Sequence, residues 1–313
     1  MKETVGEDVT LSLNFFRDAF GEPPVHRFYA TEIPGYHGQA FPGLIHFSWA
    51  TYQGFLMEKG RDEMFRAHEM AHQWWGLGVD VKSYRDAWLS EGFAEFAAWW
   101  YTEAILGDST ALRRILDQSR EALLERRHKA GPIWLGTRLF DGDMPEDYPL
   151  IVYQKGAWVL RMLRFLMLDA NGTGEAPFRG MLKDFYESFH DAQASTEDFR
   201  TMVERHMGSS MDWFFNSWVY GTGIPTYEWA QTTEQSNGKF LWKLRVTQRE
   251  VSDSFAMAVP VHLYFRDGRD AFLRVLVRGP TTDFSGEVPG LPTRVVFNDF
   301  DGVLAQVKET RWR

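Results

Sequence analysis

Two histidines and a glutamate carry the strongest chemical signal in this sequence. In Arg66-Ala67-His68-Glu69-Met70-Ala71-His72-Gln73-Trp74-Trp75, His68 and His72 stand four residues apart within a helical pattern. Their imidazoles therefore leave one helix face, one turn apart, and can reach a single ion. Glu69 lies about 100° round the helix, where it can contact a water on that ion instead of the ion itself. A second segment, Asp86-Ala87-Trp88-Leu89-Ser90-Glu91-Gly92-Phe93-Ala94-Glu95, opens another helix and puts the Glu91 carboxylate within reach of the same point. Two His and one Glu are the three protein ligands of a catalytic zinc that leaves its fourth position to water. On zinc the pKa of water falls from 15.7 toward about 7, which gives a nucleophile at neutral pH, and Glu69 would take its proton. Glu95, one turn beyond Glu91, has two readings: a carboxylate that orients a ligating imidazole, or a solvated helix glutamate.

The rest of the composition narrows the field. The chain has 313 residues, 44% of them hydrophobic and 25% charged, as in an ordinary globular protein with room for two domains. It has no cysteine, so disulfides, thiolate nucleophiles and Cys-based metal sites are excluded, and His and carboxylates remain as transition-metal ligands. A net charge of -9 argues against a nucleic-acid surface, which must neutralise phosphates with Lys and Arg. The densest basic run, Arg126-Arg127-His128-Lys129, closes a helical pattern, where cations complement the helix dipole. No apolar run is long enough to span a membrane, and MKETVGEDVT holds no stretch of the kind a signal peptide needs, so neither is expected.

The elements that must position these residues fall into three stretches. A helix is expected around 9–20, stopped by Gly21 and Pro23-Pro24, with extended segments near 27–33 and 43–49 that suit a small mixed sheet. From Arg61 to about Tyr220 the apolar spacing is helical, with starts at Asp62, Asp86, Ser109 and Ser195 and breaks at Gly107-Asp108, 171–174 and 208–210. After Gly221-Thr222-Gly223-Ile224-Pro225, alternation such as Trp242, Leu244 and Val246 against Lys243, Arg245 and Thr247 predicts a β-sandwich. Asn298-Asp299-Phe300-Asp301-Gly302 starts like a calcium loop but lacks its closing glutamate, and is expected to be a hairpin turn. Trp74, Trp75, Trp88, Trp99 and Trp100 are expected in the core or cleft wall. The other histidines lack partners at ligand spacing, although His37 and His46 could line the cleft. The sequon Asn171-Gly172-Thr173 sits in a turn-rich loop.

His68-Glu69-x-x-His72 followed by Trp-Leu-Ser-Glu91-Gly-Phe-Ala resembles the aminopeptidase N family, the membrane alanyl aminopeptidase type of gluzincin zinc peptidases. The resemblance covers nearly the whole chain and implies an α+β fold: a thermolysin-like, mainly helical catalytic domain over 1–221 with a small mixed sheet, then a β-sandwich domain over 222–313. It implies one Zn²⁺ and a peptide substrate. In that family a Tyr closely followed by Lys-Gly-Ala donates a hydrogen bond to the tetrahedral oxyanion, and Ile151-Val152-Tyr153-Gln154-Lys155-Gly156-Ala157 fits, so Tyr153 takes that role by resemblance.

Two departures stand out. The family's large β-rich N-terminal domain and helical C-terminal domain have no room here, which implies a catalytic fragment or a reduced version. Family aminopeptidases also carry Gly-Ala-Met-Glu-Asn on an edge strand, its glutamate gripping the substrate's α-amine. Aligned on Gly43-Leu44-Ile45, this chain reads His37-Gly38-Gln39-Ala40-Phe41-Pro42-Gly43, with Ala40 where that carboxylate would be. The backbone of 39–43 can still pair with an extended substrate. Aminopeptidase action on short peptides is the family default. A peptidase that needs no free N-terminus, or a non-catalytic scaffold of the same fold, are the alternatives. Scaffold relatives typically lose ligands or the base, and His68, Glu69, His72, Glu91 and Tyr153 are all present.

Overall fold

The computed structural model describes residues 2–53, 60–107, 109–142, 144–169, 172 and 174–312. The first helix, α1 (Lys2–Phe20), starts earlier than the spacing suggested, with Glu3 in its first turn, where a carboxylate suits the helix dipole. Strands β1 (Tyr29–Ile33), β2 (Gln39–Phe41) and β3 (Leu44–Ser48) form the expected small mixed sheet in the order β1-β3-β2. β1 runs parallel to β3 and β2 antiparallel, which leaves β2 on an edge. Trp49, expected in a strand, instead opens the short helix α2 (Trp49–Gln53).

Helices α3 (Arg61–Ala71), α4 (Trp88–Tyr101), α5 (Ser109–Arg126), α6 (Gly156–Leu166), α7 (Ala176–Phe189), α8 (Thr196–Met207) and α9 (Asp212–Trp218) fill the middle of the chain. Asp62 does not start α3. Gly60 does, at φ 94°, with its N–H donated to the Glu63 carboxylate at 2.9 Å, while Asp62 accepts from the Thr51 hydroxyl. Asp86 likewise caps nothing of its own: it accepts from the Thr196 N–H at 2.7 Å and hydroxyl at 2.8 Å, which ties the start of α4 to the start of α8. α8 carries the Ser195–Asp198 capping box and ends at Gly208. β4 (Val79–Val81) and β5 (Ala192–Ala194) make a parallel pair too short to leave a sequence pattern. Asp108, and Asn171 and Thr173 of the sequon, lie outside the described residues.

Seven strands follow: β6 (Thr226–Ser236), β7 (Lys239–Arg249), β8 (Ala256–Phe265), β9 (Asp270–Arg278), β10 (Thr281–Val288), β11 (Pro292–Phe297) and β12 (Gln306–Glu309). They form two sheets, β10-β7-β6-β12 and β11-β8-β9. Asn237 and Gly238 both take positive φ between β6 and β7, as a two-residue type I′ hairpin requires. The alternation read in β7 holds, with Trp242, Leu244 and Val246 fully buried.

Residues 298–302 are not a hairpin. β11 pairs with β8 and β12 with β6, so the segment crosses between sheets. Its backbone is held from the helices: the buried Arg161 of α6 donates to the carbonyls of Phe300 and Asp301, and Arg120 of α5 to the Asp301 carboxylate at 2.6 Å. In return Arg274 of β9 donates to the carbonyls of Phe165 and Leu168, beside the end of α6.

Lys155 belongs to the same seam. Its buried Nζ donates to the Gly221 carbonyl at 2.8 Å, and burial pushes its pKa down to about 7. An unfolded lysine keeps its proton to about 10.4, so between these values unfolding takes up a proton and stability rises with pH. The denaturant midpoint is expected to climb between pH 7 and 9, and Lys155→Met to flatten that climb. Parallel curves for the two proteins would contradict it.

Candidate active site

His68 and His72 project from the inner face of α3, whose residues from Arg66 to Ala71 are all buried. Glu91 comes from the first turn of α4. The three side chains converge: His68 Nε2 and His72 Nε2 are 3.2 Å apart, and Glu91 Oε2 lies 3.6 Å from the first and 3.3 Å from the second. Tetrahedral zinc with ligands at about 2.0–2.1 Å separates its donor atoms by about 3.4 Å, so this triangle has the right size.

The outer nitrogens strengthen the fit. His68 Nδ1 faces Glu95 Oε2 at 3.0 Å and His72 Nδ1 faces the Trp75 carbonyl at 2.9 Å. Both partners are acceptors, so both Nδ1 atoms carry hydrogen and, in neutral rings, both Nε2 atoms present lone pairs to each other. Two lone pairs at that distance repel unless a cation lies between them. With no cation at the centre, burial would lower His68, but the Glu91 and Glu95 carboxylates outweigh it and push the imidazole up to about 10, so the carboxylates around the triangle call for a positive charge there, which a proton or a metal ion can supply. Burial alone would raise Glu91, but the two histidines hold it well below the usual carboxylate range. Glu95 is no solvated glutamate, since its other oxygen accepts from Trp99 Nε1 at 3.0 Å.

Tyr153 reaches the same spot from a π-helical segment, Pro149–Lys155, that leads into α6. Such one-turn widenings re-aim side chains and recur at functional sites. Its ring lies parallel to that of His68, with centroids 5.8 Å apart, and edge-on to Tyr148. Burial, with the Glu91 carboxylate adding to it, raises the phenol well above its ordinary value, so Tyr153 stays a donor. The approach depends on two glycines. A Cβ added at Gly92, next to Glu91, would lie 3.0 Å from both the Gly156 Cα and the Val152 carbonyl, so any other residue would push the Tyr153 segment away from α4.

On the opposite side stands β2. Gln39 and Ala40 line the cavity, and no neighbouring strand among the described residues takes the outer edge of β2. Gln73, one residue past His72 and fully buried, clamps this edge to α3: its Nε2 donates to the Phe41 carbonyl at 3.0 Å and its Oε1 accepts from the Gly43 N–H at 3.0 Å. Sequence reasoning passed over Gln73; its signal was a lone amide in the inward run between His72 and Trp74. Gly38 was also passed over. A Cβ there would sit 2.2 Å from Glu69 Oε1, so a larger residue just before β2 would have to displace this carboxylate. Gly38→Ala is expected to displace Glu69 and lower kcat about a hundredfold, the usual penalty for misplacement by an ångström, with zinc content unchanged. Unaltered turnover would show that Glu69 does not act from this position.

These residues share one cavity of about 760 Å³. It contains His68, Glu69, His72, Glu91, Glu95, Tyr153, Gln39 and Ala40, together with His37 and Trp99. Phe41, Pro42, Gly43 and His46 lie outside its lining, with His46 packed on the Phe41 ring. The five tryptophans are all fully buried or nearly so. Burial raises the Glu69 carboxyl, against the pull of His68 and His72.

The chain is similar to known proteins. A family model described as the peptidase family M1 domain matches residues 57–218. Aminopeptidase M1 of Arabidopsis thaliana is 26% identical over 223 residues, 68% of this chain and 25% of that protein. Probable aminopeptidase 1 of Sulfurisphaera tokodaii is 29% identical over 210 residues, 66% of this chain and 25% of that protein. The chain thus spans about a quarter of the length of these curated relatives. A crystal structure of Legionella pneumophila aminopeptidase A in complex with aspartic acid shares the fold, with a TM-score of 0.71 and 17% identity over 97% of this chain and 34% of that one. With the family domain matched over more than half of its residues, the chain belongs to peptidase family M1.

Proposed function

We propose that this chain hydrolyses peptide bonds as a zinc-dependent metallopeptidase. The observation that carries this reading is the donor triangle of His68, His72 and Glu91, with both imidazoles turned so that their lone pairs face inward. Zinc held there supplies a Lewis acid that polarises the scissile carbonyl and acidifies water. Glu69, which no hydrogen bond among the described residues occupies, accepts the proton of the attacking water and passes it to the leaving amine. Tyr153 donates to the oxyanion as it forms, and Glu95 keeps His68 in the tautomer that turns Nε2 inward. The outer edge of β2, residues 39–43, pairs with the backbone of the substrate. In this reading residues 1–221 are the thermolysin-like catalytic unit and 222–313 a β-sandwich, supported by the last helix ending at Trp218 and the strands beginning at Thr226.

The named relatives are aminopeptidases, which makes removal of N-terminal residues the first reading of specificity. A second is favoured by Ala40, which brings no carboxylate to the cavity for an α-amine. One peptide series with free and acetylated N-termini, run before and after chelation and zinc add-back, tests both. Turnover lost on chelation and regained with zinc is expected; turnover indifferent to chelation would end the zinc reading, and equal turnover of the two termini would end the aminopeptidase one. Tyr153→Phe is expected to lower kcat about 10²–10³-fold, the effect of losing one oxyanion donor, with little change in KM.

A further inference from the structure

The cavity extends well beyond the three donors along α3. Arg61, Met64, Phe65, His68 and His72 recur at helical spacing on its face, and all five line the cavity. At 1.5 Å per residue Arg61 stands about 10 Å from His68 along the helix axis, the length of about three extended residues. Ile115, Gln118, Ser119 and Ala122 of α5 form the facing wall. The lobe thus has apolar sides, and at its end Arg61 donates to the Gln118 amide oxygen.

That pairing with a neutral amide leaves the exposed Arg61 guanidinium free to take an anion. Among the described residues Arg61 makes no ion pair, and it is the only Arg or Lys that lines the cavity. Among the described residues the carboxylates lining the cavity are Glu69, Glu91 and Glu95. Glu91 faces the two histidines, Glu95 is bound by His68 and Trp99, and Glu69 is the base of the proposed reaction. Among the described residues the cavity therefore offers no spare anion for an ammonium group, but it does offer a guanidinium whose planar fork matches a carboxylate.

Building on the peptidase reading, we propose that Arg61 determines specificity by binding a carboxylate of the substrate two to three residues from the scissile bond. That carboxylate is either an acidic side chain or the peptide's own C-terminus. An apolar neighbouring side chain fits between Met64, Phe65 and Ile115.

The test uses zinc-loaded full chain and quenched fluorescent peptides in which Glu replaces Gln at each position on both sides of the cleaved bond, each made with a C-terminal acid and a C-terminal amide. Wild type is expected to favour Glu over Gln at one position, or acid over amide, by about tenfold in kcat/KM, carried by KM. Which arm shows it identifies the source of the carboxylate. Arg61→Gln brings that ratio close to one and Arg61→Lys restores part of it, a pattern that a merely structural role would not give. Affinity for the same peptides is also measured by calorimetry with Glu69→Gln, where hydrolysis is blocked. If wild type cleaves no peptide, the peptidase reading fails, yet a Glu or acid preference in the calorimetry still supports Arg61. Equal affinities, or a preference that survives Arg61→Gln, overturn the proposal.

Discussion

Glu69→Gln is expected to lower kcat on every cleavable peptide about 10²–10⁴-fold, the range that a positioned general base supplies. The amide keeps the size and approximate shape of the carboxylate and cannot accept the proton. Because Glu69 makes no hydrogen bond among the described residues and lies under Gly38, the substitution breaks no hydrogen bond among them. Zinc content and melting temperature should therefore match wild type, and the loss should fall on kcat with KM nearly unchanged. Zinc-loaded Glu69→Gln turning over at the wild-type rate would remove Glu69 from the mechanism.

Glu91→Ala is expected to fail differently. Its carboxylate closes the donor triangle and balances two imidazoles in a buried setting. Without it two nitrogens remain, and zinc affinity should fall by more than the about 10–100-fold typical of losing an outer partner. Zinc per chain after dialysis, measured beside turnover, separates the variants: Glu69→Gln keeps the metal and loses activity, whereas Glu91→Ala loses both. Stoichiometric zinc in dialysed Glu91→Ala would mean that the ion is held elsewhere.

The parts of the site legible in the sequence are those fixed by short-range periodicity. His68 and His72 share a face because a helix turns every 3.6 residues, and Glu91 opens the next long helix, so local rules alone brought the three together. Tyr153 was reached only by resemblance, since nothing in its surroundings announces a π-helical turn or the contact of Gly92 with Gly156. Glu95 was left between two readings because helical spacing does not reveal which oxygen meets which ring. Gln73 and Gly38 act across the gap between α3 and β2, a distance that no local pattern encodes. The error at 298–302 has the same root: turn-forming residues mark a change of direction, and which sheet the next strand joins depends on Arg161 and Arg120 far away in the sequence.

Those distant arginines, with Lys155 and Arg274, make the two halves of the chain hard to separate. Arg161 and Arg274 spend their donors on main-chain oxygens of the other half, Lys155 on the Gly221 carbonyl at the boundary, and at Arg161 and Lys155 the donor is buried. Excising the strands would strip the buried Arg161 guanidinium of the Phe300 and Asp301 carbonyls that it holds, a far heavier penalty than exposing an ordinary surface. Because Arg161 lies on α6, into which the Tyr153 segment leads, the damage would begin on the helix behind that phenol. A chain trimmed to its helices would disturb the footing of Tyr153, the proposed oxyanion donor, before that of the proposed metal ligands His68, His72 and Glu91.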